Sequence, residues 1–188
     1  MSRGDTSLAW ESAIVRDIQP SSASDPILVN FPSAAGTVED GVSKFRTRCR
    51  AEEQLRGTFA RASLEVLEDG IENSITRELP TLLTQNGLAL FPALGVLRQW
   101  NECAPDIFAE SLVTIGRLEW DQDTFAHDTA FWLLTDSLTD DHATIRLGAA
   151  LALSALANRK AKTFLLKAAS REPMSELRDR FQDLASEL

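Results

Sequence analysis

Two cysteines and two histidines in 188 residues leave little material for metal or thiol chemistry. Cys49 and Cys103 are far apart, belong to no Cys-x-x-Cys pair and have no histidine near them in sequence. That pattern predicts two unpaired thiols in a reducing compartment and no catalytic cysteine. His127 and His142 alone cannot build a His-rich metal site. Long apolar runs are also absent. The longest, Gly148 to Leu156, is alanine-rich and far short of the roughly 20 residues that span a bilayer, so no membrane association is expected. The first residues are polar and acidic, with no apolar core and small-residue cleavage site after them; the expectation is no secretory signal and a cytoplasmic location. Positive charge is the minority, 19 Lys and Arg against 28 Asp and Glu, giving a net charge of −9. Long-range electrostatics therefore disfavour nucleic acid and anionic lipid. Strand signals are confined to Ile27-Leu28-Val29, which has no second strand to pair with.

What is present is helical periodicity. A hydrophobic content of 44% suffices for one domain with a real core. Residues 1–36 read as an N-terminal helix, capped at Asp5 or Thr6 and running to about Ile18, followed by a Pro/Ser-rich arm. Residues 37–188 read as the helical domain. Thr37 is placed to cap a long helix, or broken pair, reaching Asp69-Gly70, with Val42, Phe45, Cys49, Leu55 and Phe59 on its apolar positions. Ile71 to Gln85 follows, with Pro80 as a kink or boundary and Asn86-Gly87 as its stop. Leu88 to Trp100 becomes regular near Phe91, and Ala104-Pro105-Asp106 opens a helix whose buried face is Ile107, Phe108, Leu112, Ile115 and Leu118. Trp120 to Asp123 reads as a turn.

The last third repeats itself at an offset of 32 residues: Trp132-Leu133-Leu134 falls on Phe164-Leu165-Leu166, Ile145-Arg146 on Leu177-Arg178, Ser154 on Ser186 and Leu156 on Leu188. Each unit reads as two helices joined by a polar turn, Thr139 to His142 in one and Arg171 to Met174 in the other. Units of this kind bury by stacking a core that none can bury alone. The expected fold is all-α: a short right-handed α-solenoid of about four antiparallel helical pairs, with atypical end units and an irregular N-terminal arm.

The segment Asp140-Asp141-His142-Ala143-Thr144-Ile145-Arg146-Leu147-Gly148-Ala149-Ala150, continuing through spaced leucines to Leu156, resembles the second helix of a HEAT repeat. It is similar to the short bacterial type also found in phycobilin lyases, and the resemblance is clearest over residues 124–188. The second unit departs from it, with Phe181-Gln182 in place of the alanine pair. Physically, Ala149, Ala150 and Ala152 allow close helix approach, Ile145, Leu153 and Leu156 fill the space between helices, and Arg146 can reach acids of its own or an adjacent turn. The family implies mostly binding scaffolds. Its iron hydroxylases use His-Glu pairs, whereas here His127 precedes Asp128 and His142 precedes Ala143. The resemblance thus implies a non-enzymatic protein-interaction scaffold or adaptor, without cofactor or metal, whose partner is another protein met through a concave or charged face. A nucleic-acid-binding or DNA-repair protein, or an accessory subunit of a lyase-type enzyme, are the alternatives.

Charge is segregated. Glu119 to Ile145 contains seven acids and no Lys or Arg, and Asn158 to Arg171 contains five bases and no acid. Those five, Arg159, Lys160, Lys162, Lys167 and Arg171, are the candidate anion- or partner-binding patch. The run from Lys44 to Arg61 is expected to be solvated on its long helix. Asp121, Asp123 and Asp128 fail as a calcium loop, because Ala126 stands where the sharp turn needs glycine and Trp132 where a bidentate glutamate belongs. Asp140, Asp141 and His142 are read as helix capping. Trp132, at a repeat-matched position, is expected in the core; Trp10, Trp100 and Trp120, at element ends, are expected to be more exposed.

Overall fold

The structure, a computed structural model, describes residues 35–67, 71–99, 102–120, 125–156, 158 and 160–188, with side chains from Gly41 onward. The predicted N-terminal helix, the arm and the Ile27–Val29 segment lie outside the described residues, as do Gly70, Trp10, Trp100, Asp121, Asp123 and Arg159. Ala35–Leu188 forms one compact unit. Among the described residues it is entirely helical: α1 (Ala35–Ala62), α2 (Ser74–Asn86), a 3-10 turn (Gly87–Ala89), α3 (Leu90–Gln99), α4 (Pro105–Gly116), α5 (Phe125–Ser137), α6 (Ala143–Ala155), α7 (Ala161–Ala169) and α8 (Ser175–Glu187).

Local chemistry sets most of these boundaries. α2 starts at a capping box in which the Asn73 side chain accepts from the Ile75 and Thr76 N–H groups and the Thr76 hydroxyl accepts from Asn73 N–H. Pro80 sits inside α2 without ending it, and the helix stops at Gly87, whose φ of +54° suits a residue without a Cβ. Pro105 occupies the first turn of α4, where no amide donor is needed.

α1 differs from its expectation at both ends. It starts two residues before Thr37 and stops at Ala62. The chain leaves the helix there because Glu65 is used elsewhere: its carboxylate accepts from Ser74 N–H at 2.6 Å and Ser74 Oγ at 2.8 Å, satisfying the first turn of α2. Among the described side chains of α1, Ala51, Leu55, Phe59 and Ala62 are buried, whereas Val42, Phe45 and Cys49 are exposed.

The even-numbered helices pack in succession, α2 on α4, α4 on α6 and α6 on α8, while α1 packs on both α2 and α3, α5 on α6 and α7 on α8. One buried hydrophobic cluster runs from Ala51 to Ala185. The tightest approach joins α4 and α6. A Cβ on Gly148 would stand 2.8 Å from Ala109 Cβ and 2.9 Å from its Cα and O; one on Gly116 would stand 2.5 Å from Ala152 Cα. Two glycines, each facing an alanine of the other helix, bring the two backbones together.

Candidate functional site

α5 and α7 each lay a stripe of side chains along an open groove. On α5 and the turn after it this runs Asp128, Trp132, Asp136 and Thr139; on α7 and the turns on either side of it, Lys160, Phe164, Lys167 and Arg171. Both stripes follow the three-to-four-residue spacing of one helix face. Trp132 and Phe164 meet edge to face in the middle, centroids 6.1 Å apart at 86°, and Phe164 also meets Phe131 edge to face at 5.5 Å. This aromatic saddle divides the groove into a larger part of about 650 Å³ on the Arg171 side and a smaller part of about 400 Å³ on the Lys160 side.

Trp132 is 62% exposed, which corrects the expectation that it lies in the core. Burial does not follow the 32-residue echo in the first helices. The buried row of α5 is Ala130, Leu134 and Leu138, and that of α7 is Ala161, Leu165 and Ala169, an offset of 31. In the turns and second helices the offset is 32, with Ile145 and Leu177, Ala149 and Phe181, Ala152 and Leu184 buried as pairs. One extra residue between Ala169 and Glu172, relative to Leu138 and Asp140, absorbs the difference. Trp132 is thereby exposed, whereas its echo Phe164 stays half-buried against the core.

Asp140, Arg146 and Glu172 line the larger part of the groove and belong to a relay of arginine–acid contacts. Asp140, in the turn before α6, accepts from Arg98 of α3 at 2.8 Å (Nε) and 2.7 Å (Nη2). Glu172, in the turn before α8, accepts from Arg146 of α6 at 2.7 Å (Nε) and 2.8 Å (Nη2). Each acid also accepts the amide N–H two residues on, His142 for Asp140 at 2.8 Å and Met174 for Glu172 at 3.2 Å. Arg146 donates through Nη1 to the carbonyls of Asp140 and Asp141 at 2.9 and 3.1 Å. It thereby ties its own turn to the following helical pair. Burial raises the Asp140 pKa, but the bonds from Arg98 and His142 outweigh it and hold the carboxyl below its ordinary range. The Arg146 bonds do the same for Glu172 against its burial.

The predicted patch divides. Lys160, Lys167 and Arg171 line the groove; Lys162 is exposed but outside the lining; Arg159 lies outside the described residues. Among the described residues no ion pair joins these cations to Asp128, Asp136 or Asp141, so the groove presents an acidic wall and a basic wall that do not neutralise each other in contact. The expected capping of α6 is not formed by these side chains: Asp140 accepts the His142 N–H before the helix begins, and His142, at the N-cap position, makes no side-chain cap bond. Trp120 is half-buried, tilted on Phe91 at 6.2 Å and donating its indole N–H to the Ile115 carbonyl at 2.9 Å. Cys103 is buried, and burial pushes its thiol up to about 12. Among the described residues no three His, Cys, Asp or Glu side chains converge as metal ligands, and no helix is long and apolar enough to cross a membrane.

Sequence reasoning missed the two close-packing glycines and the exposure of Trp132. The first left a signal in the helical pattern, glycine beside alanine at Gly148-Ala149; the second depends on a one-residue slip. No family model matches the chain, and no curated protein or solved structure matches it either.

Proposed function

We propose that this chain is a non-enzymatic, HEAT-like helical-repeat module that binds another protein, holding a segment of that partner in the groove between α5 and α7. On this reading the helices make about four antiparallel pairs of a short right-handed solenoid, of which α1/α2, α5/α6 and α7/α8 pack on each other, while α3 packs on α1 and α4 on α2 and α6. The succession of even-numbered helices and the recurring arginine–acid contacts support it. The observation that carries the binding assignment is the Trp132–Phe164 saddle, with the Trp132 ring 62% exposed between walls of opposite charge. An exposed tryptophan in a concave, partly apolar setting is the usual anchor of a protein interface. The fitting segment carries an apolar side chain over the saddle, acids toward Lys160, Lys167 and Arg171, and a base toward Asp128 or Asp136.

The test is capture of the tagged chain's stoichiometric partner from its own host, comparing wild type with Trp132→Ala. Hot-spot tryptophans contribute about 2 kcal/mol or more. The expected result is roughly 30-fold weaker binding with an unchanged melting temperature. Full retention by the variant removes the groove from the interface. An eluate of salt-labile nucleic acid without protein favours the nucleic-acid alternative, which the Lys160–Phe164–Lys167 stripe beside Trp132 suits and the acidic wall opposes.

A further inference from the structure

Charge in the groove is sorted by its two aromatic side chains. Trp132 stands between Asp128 and Asp136, four residues before and four after it on α5. Each carboxylate is thus about one turn, roughly 6 Å, along the helix from the indole. Phe164 stands between Lys160, four residues before it, and Lys167, three after it. The indole, whose ring face attracts cations more strongly than a phenyl face, is the ring set among carboxylates. The phenyl ring is the one set among cations.

The indole and its two acids are open to a ligand. Trp132 meets Phe131 at 74° and Phe164 at 86°, so neither neighbour stacks flat on it, and the residue is 62% exposed. Phe131 is buried and Phe164 half-buried, which fixes the indole against packed rings. Asp128 and Asp136 are exposed. Asp128 lies 3.9 Å from Nδ1 of the buried His127, beyond hydrogen-bond reach. Among the described residues neither carboxylate pairs with a Lys or Arg, in contrast to Asp140 and Glu172, which are held by Arg98 and Arg146.

We propose that this wall reads an arginine of the bound segment, its guanidinium lying flat on the Trp132 indole and donating to Asp128 or Asp136. The proposal rests on the reading of the groove as a protein-binding site. One residue then supplies both features required of the segment here: the arginine methylenes give the apolar contact over the saddle, and the head gives the base. The same geometry selects the occupant. A trimethylated ammonium has no N–H for the carboxylates and is held best by walls on several sides, whereas Trp132 offers an open face. A planar guanidinium stacks on such a face and keeps its donors in the ring plane, aimed sideways at an acid one turn away. A nucleic-acid base stacks on an indole as well, but it brings its phosphates against Asp128 and Asp136. Lys160 and Lys167 repel a cationic head and confine it to the α5 wall.

The probes are N-acetylarginine amide and N-acetylcitrulline amide, whose planar, hydrogen-bonding heads match in size and differ in charge. The readout is the indole N–H resonance of Trp132 in the isotope-labelled full chain, identified by its loss in Trp132→Phe. The arginine probe is expected to shift this resonance saturably, and the citrulline probe to bind at least about fivefold more weakly at equal ionic strength. Asp128→Asn combined with Asp136→Asn is expected to weaken the arginine probe by a similar factor while the chain stays folded by circular dichroism. An equal response to both probes, or no response of Trp132 to arginine, overturns the proposal. Partner capture separates it from the groove reading beneath it. A partner lost by Trp132→Ala but retained in full when both acids are replaced overturns the arginine and leaves the groove standing, whereas retention by Trp132→Ala removes the groove itself.

Discussion

Gly148→Ala is expected to destabilise the protein, although alanine is the better helix former. In a helix interior the replacement of glycine by alanine gains about 1 kcal/mol. At Gly148 the new Cβ would lie 2.9 Å from the Cα and O of Ala109, 0.5 Å short of the 3.4 Å at which ordinary contact begins. These are backbone atoms of α4 and cannot swing aside, so α4 and α6 must separate along their whole contact. Overpacking of this kind costs about 1–3 kcal/mol, and a rigid neighbour puts it at the upper end. The net loss is about 1–2 kcal/mol, which for a unit of this size lowers the melting temperature by about 2–8 °C. Gly95 supplies the control: it lies inside α3, is exposed, and has nothing within 4 Å of its Cβ position. Gly95→Ala is expected to raise the melting temperature by about 2–4 °C. Thermal melts of both variants by circular dichroism, checked by urea unfolding, decide the matter. A Gly148→Ala protein as stable as wild type, or a Gly95→Ala protein that loses stability, refutes the close-packing argument.

Arg146→Met leaves the Glu172 carboxylate, whose side chain is 2% exposed, buried without its cation and is expected to cost about 3–5 kcal/mol; Arg146→Met with Glu172→Met should recover most of that in urea unfolding, and a larger loss in the double variant would count against the pair. Because Asp140 and Glu172 are held below their ordinary values of 3.8 and 4.5, the unfolded chain binds more protons than the folded one in that range. The stability that these two carboxylates contribute is therefore fully present above about pH 5 and falls as the pH drops further, and a urea midpoint that stays flat between about pH 5 and 3 would contradict it. At pH 8 a maleimide reagent should modify Cys49 readily and Cys103 only on denaturation, since Cys103 is buried with a thiol raised to about 12; two fast equivalents from the native protein would contradict the burial.

Most helices were legible because their ends carry local chemistry. Asn73, Pro105 and the Asn86-Gly87 stop act within a few residues of themselves, so sequence windows capture them. α1 was read too long because its terminator is tertiary: Glu65 leaves the helix to serve Ser74. Trp132 was misplaced because sequence identity follows a 32-residue offset while burial in the first helices follows 31. Of the five candidate basic residues, the spacing of Lys160, Lys167 and Arg171 already put them on one helix face, but the opposing stripe is 21 to 43 residues away and only folding brings it alongside. The reach of Arg146 to a neighbouring turn was readable; the identity of its acid, 26 residues downstream, was not.

The acid-to-arginine interval is six residues in both units, Asp140 to Arg146 and Glu172 to Arg178, whereas the stretch before each acid differs by one. Each acid is held at once by the amide two residues on and by the arginine of an earlier element, and each arginine by the carbonyls of its own turn. An inserted residue inside the six would part each arginine from the carbonyls of its own turn. One inserted in the preceding helix merely rotates that helix and changes which side chain it shows to solvent. The molecule thus separates a length that must be kept, from each acid to its arginine, from a length that differs between the two units and with it the aromatic side chain turned to the groove.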